Sequence, residues 1–167
     1  YINNSKASKH IMIKYFYFKN RFFFVFIFNI LLKIFLNMDS KLRYEIEFPI
    51  NSSPQLLYQY ISTPSGLSEW FADNVNSRGE LFTFIWDDTK ERARLASKKT
   101  GERIKFKWID ENDKDTEYYF ELKIMEDEIT KDVSLVVIDF AYEDEIEESK
   151  LLWENQISDL KHVIGSV

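Results

Sequence analysis

Asp139 is the carboxylate whose surroundings favour chemistry, because it lies in a nearly unbroken apolar run, Val133 to Ala141 (VSLVVIDFA). Removal from water raises a carboxyl's pKa and makes it a candidate acid or base. Acid–base work also needs a second group, and no sequence neighbour supplies one; at a strand end or beside a Lys or Arg the same residue is structural. His162 falls near the end of a helical stretch, where a cation meets the helix dipole favourably and is usually solvated. The other histidine, His10, belongs to a different part of the chain, and there is no cysteine. No thiolate nucleophile or disulfide framework can therefore form, and two separated histidines are too few for a zinc site of the usual kind. No phosphate-binding glycine motif, metal-ligand spacing or nucleophile motif appears. The reading is a protein with no catalytic residue, no metal and no cofactor, and hence not an enzyme.

The elements that would position such residues are written in the alternation of apolar and polar side chains. Lys41 to Phe48 (KLRYEIEF) places Leu42, Tyr44, Ile46 and Phe48 on one face of a half-buried strand. Pro49 and a polar Asn51 to Ser53 stop it. Pro54 then opens a helix, Ser52 and Gln55 have the spacing of a capping box, and Leu56, Leu57, Tyr60 and Ile61 supply an apolar face. A second short helix follows Thr63-Pro64, with Leu67, Trp70 and Phe71 spaced to share a side. Strands return at Val75 to Ser77, Leu81 to Trp86, Arg92 to Ser97, Arg103 to Trp108, Tyr118 to Ile124 and Val133 to Ala141, separated by turn residues such as Gly79, Asp87-Asp88 and Gly101. In Arg103 to Trp108 the residues Ile104, Phe106 and Trp108 face inward, with Arg103, Lys105 and Lys107 toward water. Tyr118, Phe120, Leu122 and Ile124 repeat the pattern. Asp139's own strand is apolar on both faces, as a central strand would be, and its orientation stays open. The last element is a long helix carrying Leu152, Trp153, Gln156, Ile157, Leu160, Val163 and Ile164 at helical spacing, with acidic residues at its start and Gly165 as a C-cap.

Composition changes sharply at residue 37. Residues 1 to 37 hold five Lys, one Arg and eleven of the 28 aromatics, with no Asp, Glu, Gly or Pro. The remainder keeps 16 Lys and Arg against 28 Asp and Glu, a net of −12 that would repel nucleic acid and anionic membrane. The run Phe22 to Leu36 is short for a span, which needs about 20 apolar residues, and Lys33 interrupts it. It also lacks a small-x-small cleavage site. Its bias toward Phe, Ile, Lys, Asn, Tyr and Leu is that of translated A/T-rich sequence. The adopted division is 1–37 as a mistranslated upstream or anchor segment and 38–167 as the folded domain, which is then cytoplasmic and without a membrane span. A membrane anchor through residues 11–36 and a cleaved signal are the alternatives.

The order of strand, two short helices, about six further strands and one long amphipathic helix, with GLSEWFAD (Gly66 to Asp73) and LLWENQISDLK (Leu151 to Lys161), resembles the START-like, or SRPBCC, superfamily. The look is closest to the branch named for an activator of the Hsp90 chaperone's ATPase. The resemblance covers Leu42 to about Ile164. It implies an α+β helix-grip fold, in which a curved antiparallel sheet of about six to seven strands holds the C-terminal helix. It also implies a cavity between the two for a hydrophobic small molecule or lipid, lined by Phe84, Trp86, Phe106, Trp108, Tyr118, Phe120, Trp153 and Ile157. Two departures stand out: the loop after Phe71 lacks the glycine-rich stretch of many relatives, and the domain is unusually acidic. Inward aromatics also serve any plain core, so the same side chains fit a filled interior. Two further functions stay open: a co-chaperone-type module recognising a basic protein partner, and a cyclase-like enzyme with a titratable cluster inside.

Overall fold

The computed structural model describes residues 40–87 and 89–166. The readings of segment 1–37 fall outside the described residues. The first strand, β1 (Leu42–Ile50), buries Tyr44 and Ile50 while Arg43, Glu45 and Glu47 stay in water. Helix α1 (Pro54–Ser62) follows, with Pro54 in its first turn and Ser53 as its cap: the Ser53 hydroxyl accepts from the Leu56 N–H at 3.2 Å. The expected cap, Ser52, is displaced by one residue, and its Oγ is buried without a hydrogen-bond partner. Leu57 and Ile61 of α1 are buried, but Leu56 is turned outward, contrary to the expected face, since the buried stripe runs through Leu57 and Ile61, four residues apart, and leaves Leu56 at its edge.

The second short helix, α2 (Pro64–Leu67), is capped by Thr63, whose hydroxyl accepts from the Gly66 N–H at 3.0 Å. Gly66 allows it to touch α1: a Cβ there would lie 2.5 Å from the Gln59 carbonyl oxygen and 2.6 Å from the Tyr60 Cα. The chain continues through a helical turn in which the Phe71 N–H reaches the Leu67 carbonyl at 2.9 Å, so Leu67, Trp70 and Phe71 all point into the core.

Six strands then run to and fro: β2 (Asn74–Arg78), β3 (Leu81–Trp86), β4 (Thr89–Lys99), β5 (Arg103–Ile109), β6 (Asp115–Glu126) and β7 (Val133–Ala141). All pairings are antiparallel, in the order β1-β7-β6-β5-β4-β3-β2, so the first strand closes onto the last and lies at one edge. Register shifts at Leu95/Ser97 and Lys107/Ile109 bend the sheet. A 3-10 turn, Glu143–Glu145, leads into α3 (Ile146–Val163), whose residues Trp153, Ile157 and Leu160 are buried. Glu147 and Glu148 in its first turn, and Lys161 and His162 in its last, complement the helix dipole. Gly165, at φ 71°, ends it, and the Ser166 hydroxyl accepts from the Asn51 N–H at 2.7 Å, tying the chain's end to the β1–α1 loop. The result is the helix-grip α+β fold.

Two expected exposures differ. Leu152 is 58% exposed beside Leu151 at 57%, because the buried stripe of α3 runs through Trp153 and Ile157 and carries both leucines away from the sheet. On the sheet's outer face Lys105 is only partly in water. It holds the buried Glu121 at 2.9 Å, with Arg103 at 3.5 Å, and its ammonium lies 3.9 Å from the Tyr119 ring centre. Val136 and Ile138 of β7 are also buried on that face, which explains a strand apolar on both sides.

Candidate ligand-binding site

The inner face of the sheet carries a continuous aromatic wall. Phe84, Phe106 and Phe120, from β3, β5 and β6, are fully buried and meet edge-on or stacked, with ring centres 5.0 to 5.8 Å apart. Trp108 packs on Phe120 at 5.1 Å and Trp86 on Phe84 at 5.8 Å; both tryptophans remain partly exposed. From the helix, Trp153 joins Phe120 at 6.1 Å, and Ile157 is buried below it. Seven of the eight candidate lining residues therefore gather between the sheet and α3. The eighth, Tyr118, lies apart: its ring meets Phe140 at 5.5 Å, and its hydroxyl accepts from the Lys41 N–H at 3.3 Å.

Phe71 is the residue that connects this wall. Its ring stacks on Trp153 at 5.5 Å and meets Phe84, Trp86 and Phe120 at 5.1 to 5.5 Å. Its carbonyl accepts from the Trp86 indole N–H at 2.7 Å and from Gln156 Nε2 at 3.4 Å. The sequence marks Phe71 as packing, through its spacing from Leu67, but that spacing carries no sign of its central position. Its side chain fills space between the sheet and the helix, and a ligand entering there has to displace it.

A second, polar cluster lies on β1, β7 and the first turns of α3. Tyr44 and Asp139 are paired across the two strands. Asp139 Oδ2 accepts from the Trp153 indole N–H at 2.8 Å and from the Tyr44 hydroxyl at 3.4 Å, and Oδ1 accepts from the Phe140 N–H at 2.8 Å. Tyr44 Oη also lies 2.5 Å from Ser149 Oγ. A phenol has one proton, so with Tyr44 donating to Asp139, Ser149 is the donor in that short contact. Burial raises the Asp139 carboxyl above its ordinary range, while Trp153, the Phe140 N–H, Lys41 and Tyr44 pull it down. Burial likewise pushes the Tyr44 phenol up to about 12, Ser149 opposing and the Asp139 charge assisting. The expected desolvation of Asp139 is present, and its acceptor positions are occupied by groups that join the helix to the sheet. Among the described residues no group of His, Asp or Glu is arranged to hold a metal.

Where the aromatic wall reaches the surface there is an open cleft of ≈ 430 Å³. Phe71 and Trp86 line it from one side, Gln156, Asp159, His162 and Val163 of α3 from the other, and Glu69 and Asp73 stand at its rim. His162 is exposed, as expected.

The comparisons with known proteins agree with this architecture. A family model for the START-like superfamily domain matches residues 38–166. The solution structure of a Bacteroides fragilis protein is 34% identical, with a TM-score of 0.54 over 74% of this chain and 91% of that one. The Aha1 dimer from Colwellia psychrerythraea, 12% identical, has a TM-score of 0.60 over 74% of this chain and 96% of its own. CalU16 from Micromonospora echinospora, 16% identical, has a TM-score of 0.58 over 74% and 76%. The last two concern the fold alone. No curated protein matches. With the family model covering the strands, the short helices and α3 together, the chain belongs to the START-like superfamily.

Proposed function

We propose that this domain is a non-catalytic binding module for a hydrophobic small molecule or lipid, taken up between the sheet and α3. The observation that carries the reading is the aromatic wall's access to solvent: Trp86 and Trp108 are only partly buried while packing on the buried Phe84 and Phe120. An apolar ligand meeting Trp86 is led along Phe71 toward Trp153. Because those rings are in contact, uptake requires Phe71 to swing aside. The non-catalytic part rests on Asp139, whose carboxylate is occupied by Trp153, Tyr44 and the Phe140 N–H. A cyclase-like activity would need such a group free to reach a substrate. Native mass spectrometry of the purified chain, with tryptophan emission followed across a lipid panel, tests the proposal. A bound species and a shifted emission are expected; no bound species and unchanged emission over the whole panel would overturn it.

A second reading, recognition of a basic protein partner, is favoured by the adjacent exposed Leu151 and Leu152. They line a groove of ≈ 540 Å³ together with Glu145, Glu148 and Lys41, so an apolar pair follows two acidic groups along the start of α3, with one lysine opposing them. A partner held there would be retained from the protein's own cell extract at low salt and released at high salt. Failure to retain one at any ionic strength would count against this reading.

A further inference from the structure

The cleft at Trp86 joins an aromatic floor to an acidic rim without a counter-charge. The indole N–H of Trp86 is occupied by the Phe71 carbonyl at 2.7 Å, so what the ring still offers is its π face. Glu69, Asp73 and Asp159 are exposed around it, and no Lys or Arg is among the lining residues. Asp73 accepts the Asp87 N–H at 2.6 Å, and among the described residues none of the three carboxylates is in a salt bridge. His162 is the other titratable group there, and one imidazole against three carboxylates leaves the cleft net negative in either form. A depression walled by aromatic side chains concentrates the field of such carboxylates. The π face of a tryptophan attracts a cation for the same electrostatic reason.

We infer that this cleft receives the cationic head of a hydrophobic amine, whose apolar body lies along Trp86 and Phe71 toward the interior. The inference rests on the ligand-binding function proposed above and specifies its ligand class. Size favours a small molecule over a peptide, since ≈ 430 Å³ lies within the roughly 300–1,000 Å³ of small-molecule sites. A fatty acid would bring its carboxylate against Glu69, Asp73 and Asp159, whereas an amine of the same length gains the rim charges and the indole face.

The test is calorimetric titration of the full chain with dodecylamine, dodecanol and dodecanoate below their aggregation concentrations, with an oligolysine peptide as a fourth arm. We expect dodecylamine to bind about tenfold more tightly than dodecanol, with dodecanoate weakest. The preference for amine over alcohol should shrink toward unity in the double variant Glu69→Gln, Asp159→Asn, whose sites are exposed and not needed for packing. Equal affinity for amine and alcohol, or an amine preference untouched by the double variant, overturns the inference and leaves the binding function standing. Oligolysine binding that displaces the amine assigns the cleft to a basic polypeptide and also overturns it. No binding in any arm removes both.

Discussion

Along α3 the first turns meet the sheet through polar groups and the later ones through apolar groups. Ser149 and the Trp153 indole N–H engage Tyr44 and Asp139, whereas Ile157 and Leu160 are buried among hydrocarbon. Trp153 belongs to both regimes, with its N–H on Asp139 and its ring on Phe71. The two ends contribute different things. Apolar contact is non-directional, so it holds the helix down without fixing its rotation; hydrogen bonds to one carboxylate fix which face of the helix points inward. The polar end thus orients the element that the aromatic end anchors.

The sharpest way to break this contrast is at the aromatic end. Phe71→Ala is expected to cost about 3–5 kcal/mol, as deletion of a well-packed phenylalanine does, read from urea unfolding at neutral pH. A loss below about 1 kcal/mol would mean that the rings around Phe71 collapse into the gap, and the anchoring role would fail. At the polar end Asp139→Ala is expected to cost about 1–3 kcal/mol, because it strands the buried donors of Trp153 and Phe140.

The pH profile sharpens the same point. The folded pKa of Asp139 lies above its unfolded value, so the stability linked to its protonation is fully present below the unfolded pKa and is lost as pH rises through the folded one. Unfolding measured from neutral pH downward, for the natural chain and for Asp139→Asn, should show the natural chain gaining on the variant as pH falls. A constant difference would mean that Asp139 is not desolvated in the folded state. Smallest of all, Leu152→Ala should change stability by no more than about 0.5 kcal/mol, since its side chain is exposed.

Most strand positions and the last helix were legible because β1, β5 and β6 alternate between a dry and a wetter face, while β7, buried on both, was legible only as an apolar run. Ile104, Phe106, Phe120 and Leu122 all point where the alternation puts them. The same rule put Lys105 on the correct face but overstated its exposure, because a period of two describes a face and says nothing of Glu121 opposite it on the next strand. Leu56 and Leu152 misled for a related reason: each stands beside a buried residue but off the stripe that the buried residues of its helix define. The aromatic wall was readable residue by residue. The cleft was not, since Glu69 and Asp73 meet Asp159 and His162 only through the packing of α3 beside the turn after α2. Nor could Tyr44 be matched to Asp139 before β1 was known to pair with β7.

Gly66 carries a consequence for how freely this sequence can change. The backbones of α1 and α2 touch there, with no room for a methyl group. The turn that follows holds Trp70, whose indole donates to the Tyr60 carbonyl at 3.1 Å, and then Phe71. Any side chain at position 66 would push α2 off α1 and shift both rings. In a library randomised over Gly66 to Asp73 and selected only for folding, position 66 should return glycine while exposed Glu69 accepts nearly anything. An acidic rim is free to drift; the point of contact behind it is not.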